Sequence, residues 1–446
     1  MSLTHETDIN GTNLPGTLSQ FPLELECAIL EWLKEDKPTV ASCSLVCRRW
    51  RPISQSLLFY AVSIDTFKYP SQGGEGKYRP DRIPNFLQFI RTNSNIAHHI
   101  RELELNGRHE ATVTLELLHG VLEELARLRV LGLYELRLDH AASPEPTRPA
   151  TPRIRRSLDE LSIVLCEFPS RQLADMFSII CLFSEIGHLA INGDGWATSS
   201  TSELEIYSTK YPLIMRSLSL YDLGETCTTA ICRVVHASGA LKGHLTSMTF
   251  RPWKLEAARA FASLVDDAGP YLTALTFHLE YAVDFVLPRE ACKNLTLSTC
   301  SALQTLKLHV TADDEELAME PDMLARWLPE SFSACADLIS SHQKALSVLH
   351  TVVIITGSPS LWTGTGVIDA MERSAQNAHA VWKLLDAALL TLRSLGRLEF
   401  TVLDRYDEMK EEQRTHLRSI VEAGLSGVLS MHNGAHDFFH FKCRSY

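Results

Sequence analysis

Three groups of side chains in this chain have spacings that chemistry could use. His432, His436 and His440 recur every four residues, the step that stacks side chains on one helix face and can bring imidazoles to one metal ion. Gly434 interrupts that run, and Phe438, Phe439 and Phe441 mark a packed terminal element, so no metal site is expected. Asp194, Asp222 and Glu280 each stand just beyond an apolar segment of strand type, where a (β/α)-barrel enzyme would carry catalytic carboxylates. In an open row of strands the same three residues are spread along an edge and converge on no pocket. Gly73-Gly74-Glu75-Gly76-Lys77 resembles a phosphate loop in composition but lacks G-x-x-x-x-G-K-[ST] and follows no clear strand. With no G-x-S-x-G, H-E-x-x-H or paired C-x-x-C, the expectation is no catalytic residue, no metal and no cofactor.

Composition narrows the classes further. The chain has 446 residues, 45% hydrophobic, with a formal net charge of -12 at pH 7. An acidic protein without a long Lys/Arg run lacks the basic face that displaces phosphate counterions, so nucleic acid is not an expected partner. The polar start, MSLTHETDINGTNLPG, lacks the apolar centre of a signal peptide, and runs such as Val352–Ile355 are far too short to cross a bilayer. Eleven cysteines, with Cys27, Cys43, Cys166 and Cys181 set in apolar patterns, read as reduced and buried thiols of a cytoplasmic or nuclear protein.

The elements that would position a partner begin at Phe21. Between Phe21 and Phe59 lie two short apolar helices and a third turn of helix from Ile53 to Phe59. Pro22 suits a helix start, with Glu24 and Glu26 near its positive end. Leu23, Cys27 and Leu30 form one apolar stripe, and Leu25, Ile29, Trp32 and Leu33 form a second. Pro38 restarts the chain for Val40, Cys43, Val46, Cys47 and Trp50. A unit of roughly 40 residues buries too little to stand securely alone. Two stripes on one helix therefore imply a second contact outside the segment.

Phe21-Pro22-Leu23-Glu24-Leu25, Ile29-Leu30, Leu33 and Leu45-Val46-Cys47-Arg48-Arg49-Trp50 resemble an F-box, of the kind found in large fungal families. The resemblance covers less than a tenth of the chain. Phe21 stands where the family usually has leucine, and Pro38-Thr39-Val40 replaces the usual Asp-Leu before the second helix. The resemblance implies docking to the Skp adaptor and, through it, to a cullin scaffold. Leu23, Leu30, Leu33, Val46 and Trp50 would make the contact, with Pro22, Ile29, Leu45 and Cys47 sharing or supporting it.

From Ile100 onward a pattern of apolar-x-x-apolar-x-apolar recurs. IRELEL, LRVLGL, LDELSI, IGHLAI, MRSLSL, LTSMTF, LTALTF and LQTLKL start at intervals of roughly 27 to 31 residues, and LHTVVI and LGRLEF follow at longer spacing. Each reads as a strand with alternating faces, and helical periodicity fills Val113–Arg127, Gln172–Phe183, Thr228–Ser238, Leu255–Val265 and Val381–Leu392. The fold class expected is α/β: an N-terminal three-helix F-box-like domain, then an irregular solenoid of parallel strands that resembles leucine-rich repeats. The boundaries are a tail at 1–19, the helical domain at 20–62, a linker and capping helix at 63–99, and the solenoid at 100–446 with a Pro-rich insertion at 141–156. Target-binding candidates lie on the open strand face: Glu102, Glu104, Tyr134, Glu135, Tyr221, Asp222, Arg251, His278, Lys307 and His309. With the resemblance, the expected function is substrate recognition for a Skp–cullin–F-box ubiquitin ligase, by binding an unknown protein target. A non-catalytic interaction scaffold and, more remotely, a (β/α)-barrel enzyme are the alternatives.

Overall fold

The computed structural model describes residues 22–68, 77–139, 156–168, 173–193, 213–239, 243–252, 255–281, 288–312, 321–357, 379–404, 409–432 and 437–445, with 368, 371–373 and 376. The tail 1–19, the Gly-rich tract up to residue 76, the Pro-rich stretch up to residue 155, Asp194 and His436 lie outside them.

Three helices come first: α1 (Leu23–Trp32), α2 (Lys37–Val46) and α3 (Trp50–Leu58). The Asp36 carboxylate starts α2 by accepting the Thr39 N–H at 3.2 Å and the Thr39 hydroxyl at 2.6 Å, with Pro38 placed where a missing donor costs nothing. Arg49 reaches the buried Glu26 carboxylate of α1 at 3.0 Å, and the Lys37 ammonium donates to the Leu57 carbonyl of α3 at 3.1 Å.

Next come β1 (Ala61–Asp65) and an antiparallel ribbon of β2 (Phe67–Lys68) and β3 (Lys77–Tyr78). Helices Arg82–Thr92 and Ser94–Ala97 lead to β4 (Glu102–Asn106). A short pair, β5 (Thr112–Thr114) and β7 (Arg137–Asp139), brackets β6 (Val130–Tyr134) in the chain. The remaining strands are β8 (Arg156–Val164), β9 (Phe183–Asn192), β10 (Ile214–Leu223), β11 (Ser247–Pro252) and β12 (Ala274–Tyr281). They continue with β13 (Thr305–Ala312), β14 (Thr351–Gly357), β15 (Arg397–Asp404) and β16 (Phe439–Ser445). Twelve strands form one all-parallel sheet in the order β1-β4-β6-β8-β9-β10-β11-β12-β13-β14-β15-β16. All ten strands expected from the repeated pattern are present. β1 and β16 are additional and occupy the two ends. Among the described residues the ends do not pair with each other, so the sheet is an open row and no barrel closes.

Register explains why the row is continuous. Leu103, Leu131, Leu161, Leu189, Leu218, Met248, Leu275, Leu306, Val352 and Leu398 align across ten neighbouring strands. Two residues on, Leu105 through Phe250 to Phe400 make a second aligned file, and both files are fully buried. Burying one such side chain stabilises by about 1.5–3 kcal/mol. The helices cover this face, as in the stack of Phe250 on Phe261 from helix Leu255–Ala268, with ring centroids 4.1 Å apart. Further along, Phe332 and Trp382 pack together at 4.9 Å and both approach Phe400.

The helical segments Leu173–Ile180, Glu225–Ala237, Leu255–Ala268 and His379–Leu390 fall close to their expected places. Val113 does not: it belongs to β5, and the helix runs Leu115–Glu124 because the Thr114 hydroxyl caps it by accepting the Leu117 N–H at 3.2 Å. In the linker the capping helix runs Arg82–Thr92.

Strand exits share a turn. Gly107, Glu135, Leu165 and Gly193 each donate an N–H to a carbonyl at the end of the next strand, on Tyr134, Val164, Asn192 and, two residues before the end of β10, Tyr221, at 2.7 to 3.4 Å. Glu135, Leu165 and Asp222 hold left-handed backbone at φ 51°, 50° and 53°, each directly after the final outward residue of its strand. A Cβ on Gly107 would meet the Glu135 carbonyl oxygen at 2.8 Å, so this exit requires glycine.

Phe250→Ala should cost about 3–5 kcal/mol, because it empties a fully enclosed site between Phe261 and Phe277. Thr249→Ala, one residue away on the opposite face, should cost about 1 kcal/mol or less. Urea unfolding of the two variants checks the difference.

Candidate docking surfaces

The helical unit encloses very little. Leu30 and Val40 are its only fully buried apolar side chains among the described residues, joined inside by Ser54 and Glu26. Neither belongs to the continuous core of the sheet region, whose first member is Ile83. Leu30 therefore holds the helices together; it offers no surface to a partner, which corrects its place among the expected contacts. Leu33 and Trp50 are half-buried.

The rest of the apolar surface faces outward. Leu45 is 87% exposed and Val46 64%, at the end of α2, with the exposed Cys47 following. Pro22, Leu23 and Ile29 are exposed on or beside α1. Leu25 and Trp32 were not among the expected contacts, yet Trp32 is 91% exposed and is the most open of all. The second stripe of α1, Leu25-Ile29-Trp32, signalled it in the sequence. Cys27 is exposed and Cys43 half-buried, contrary to the expectation of buried thiols, because this unit has almost no interior; Cys181 is also half-buried.

The open face of the sheet carries the other set, and the structure splits it. Glu102, Glu104 and Tyr134 lie on β4 and β6 near one end. Burial raises the Tyr134 phenol above its ordinary pKa, and the Glu104 and Glu160 charges add to this. Glu135 is not on the face: it forms the left-handed exit turn of β6. Three to six strands beyond β6 in the row, Tyr221, Asp222, Arg251, His278, Lys307 and His309 come together on β10 to β13. His278 and His309 pair in register and stack at 4.0 Å with 22° between planes. Tyr221 meets His278 edge-on at 5.9 Å, and Arg251 donates to the Asp222 carboxylate at 2.9 Å. Burial pulls His278 down to about 4, helped by the Arg251 charge. It pulls His309 down to about 3, helped by His278 and Lys307. Both imidazoles are neutral at pH 7 and form a flat surface beside an ion pair. Between the two groups Gly132, Ser162, Ala190 and Ser219 pave one register row with small residues.

Sequence reasoning missed a polar centre at the far end. Glu399 on β15 is nearly enclosed, with Lys442 at 2.8 Å, Arg397 at 3.0 Å and Arg444 at 3.9 Å. Burial pushes its carboxyl up, but hydrogen bonds and charge from Lys442 and Arg397 outweigh this and hold it below the ordinary value. The signal was the alternation in Phe439-His440-Phe441-Lys442-Cys443-Arg444, which is strand-like. His440 thus sits on a strand and His432 just past a helix, so the fourfold histidine spacing spans two elements. Among the described residues no cluster of metal-ligating side chains exists, and no helix is long and apolar enough to cross a membrane. Asp222 and Glu280 lie within β10 and β12, one strand apart from adjacency.

The neutral histidine pair makes a pH prediction. The folded chain resists protonation at sites that the unfolded chain protonates near pH 6.5, so stability is full above that value and falls as pH drops toward 4. The loss at pH 5 should be on the order of 2 kcal/mol for each histidine. His278→Phe and His309→Phe should flatten the decline of melting temperature between pH 7 and pH 5.

Comparison with models of known protein families and with curated proteins finds no match for this chain.

Proposed function

We propose that this chain is the substrate-recognition subunit of a Skp–cullin–F-box ubiquitin ligase. In this reading α1 to α3 are the F-box-like unit, and the row of strand–helix units is an irregular solenoid similar to leucine-rich repeats that holds a target protein. The observation that carries it is the outward apolar surface of Leu23, Leu25, Ile29, Trp32, Leu45 and Val46 on a unit with two enclosed apolar side chains. Large apolar side chains left this exposed on two short helices are the kind of surface that marks an interaction site. Trp32 supplies the large aromatic anchor that such contacts favour.

The mechanism asks no bond-making of this chain. The adaptor, bound at the amino end, carries the cullin scaffold, and the target, bound along the open strand face, is held at a set distance from the transferring enzyme. Rate is gained by converting an encounter between separate molecules into one within an assembly. The neutral His278–His309 stack, Tyr221 and the Arg251–Asp222 pair make the most differentiated part of that face. Such a ligase works in the cytoplasm or nucleus.

The test is co-purification with the Skp adaptor. Trp32→Ser combined with Leu45→Asp should weaken adaptor binding at least about tenfold, since these are the two most exposed side chains of the set. Both are outward-facing, so the fold should be unchanged by circular dichroism. Adaptor binding undiminished in the double variant, or absent in the unaltered protein, would overturn the reading. Leu30 is unsuitable for the test because its substitution would loosen the helices themselves.

A further inference from the structure

The sheet ends on β16, and among the described residues no strand pairs with its outer edge. An outer edge presents a row of backbone N–H and C=O groups spaced for another strand. Beside it runs one continuous face of helix Glu411–Gly424, and the two enclose a groove of about 720 Å³. Phe441 and Cys443 turn toward the helical side and remain only half-buried, unlike the fully enclosed residues of the same file on inner strands. One more strand would cover them.

Charge selects what that strand carries. The groove is lined by four cationic side chains, Arg414, Arg418, Lys442 and Arg444, against two carboxylates, Glu411 and Glu422. Arg418 pairs with Glu422 at 2.7 Å. Lys442 and Arg444 share the single Glu399 carboxylate with Arg397, so three cations converge on one anion. This excess sits in a chain whose net charge is -12. A second copy of the same edge would bring like charges together, which opposes self-pairing.

We propose that the groove between β16 and helix Glu411–Gly424 binds an extended acidic segment of a partner protein, which adds to the sheet as a thirteenth strand. The backbone of the segment pairs with β16. On the open face its carboxylates meet Lys442 and Arg444, and on the other its side chains cover Phe441 and Cys443. This is strand addition, in which backbone hydrogen bonds supply affinity and alternate side chains supply selectivity. The site is separate from the adaptor surface, and it holds whether or not the chain serves a ligase.

The experiment uses the full chain and a fluorescein-labelled seven-residue peptide of alternating glutamate and valine, matched to the seven residues of β16. Its lysine–valine counterpart is the control, and anisotropy is the readout. The acidic peptide should bind, more weakly as salt rises, and slow amide hydrogen exchange in residues 439–445. Lys442→Gln with Arg444→Gln should weaken it about tenfold. If that pair lowers the melting temperature, Arg444→Gln alone, at a half-exposed position, should still weaken it severalfold. The proposal is overturned by equal binding of both peptides, by no binding, or by exchange protection away from β16. Self-association through this edge, seen in the ultracentrifuge and blocked by either substitution, would overturn it as well.

Discussion

Parallel pairing in strict register is the constraint on which the molecule rests. Each inner strand offers two apolar side chains to the helical side, and register places them in line with those of its neighbours. A slip of one residue would turn every one of them to the open face. The core is therefore one long file of contacts, running from the leucines of β4 and β6 to the aromatic cluster of Phe332, Trp382 and Phe400. No single unit could bury its own apolar face, and neighbours are required on both sides. At the ends this condition fails. Val62 and Ile64 of β1, and Phe439 and Phe441 of β16, belong to the same files but are only partly covered.

The helical unit follows a different economy. Its three helices are joined by the Glu26–Arg49 pair, the Lys37 contact to Leu57 and a core of two apolar side chains, while Trp32, Leu45 and Val46 point to solvent. It is small, and its interior is too thin to account for the amount of apolar sequence it carries. The sheet, by contrast, turns two files of apolar residues inward and carries polar groups, among them the His278–His309 stack and the Arg251–Asp222 pair, on its open face. The two regions are suited to different kinds of contact, one apolar and one polar and shape-dependent.

Much of the sheet was legible because a strand with one buried face writes an alternation that the eye and the period both detect. All ten repeated segments became strands for that reason. β1, with the sequence Ala61-Val62-Ser63-Ile64-Asp65, carries the same spacing, Phe59 leading Val62 and Ile64, but Phe59 directly follows α3 and reads as the end of that helix. β16 has clear alternation, and its strand excludes the helix that the four-residue histidine spacing would need. Which of the two stripes of α1 turns inward was not legible, since both are apolar; only packing shows that Leu30 is inside and Trp32 outside. Likewise the alternation identified Tyr221, His278 and His309 as sharing a face, but their mutual stacking depends on register across strands distant in sequence.

The shared exit turn has a consequence for how such a chain can vary. After β4, β6, β8 and β9 the turn fastens the close of one strand to the neighbouring strand before the connecting segment begins. The intervals between β13, β14 and β15 are much longer than those before them, yet these strands keep the same pairing, residue for residue. The pairing of the strands thus tolerates connections of different length, so the frame constrains the segments between strands less than it constrains the strands themselves.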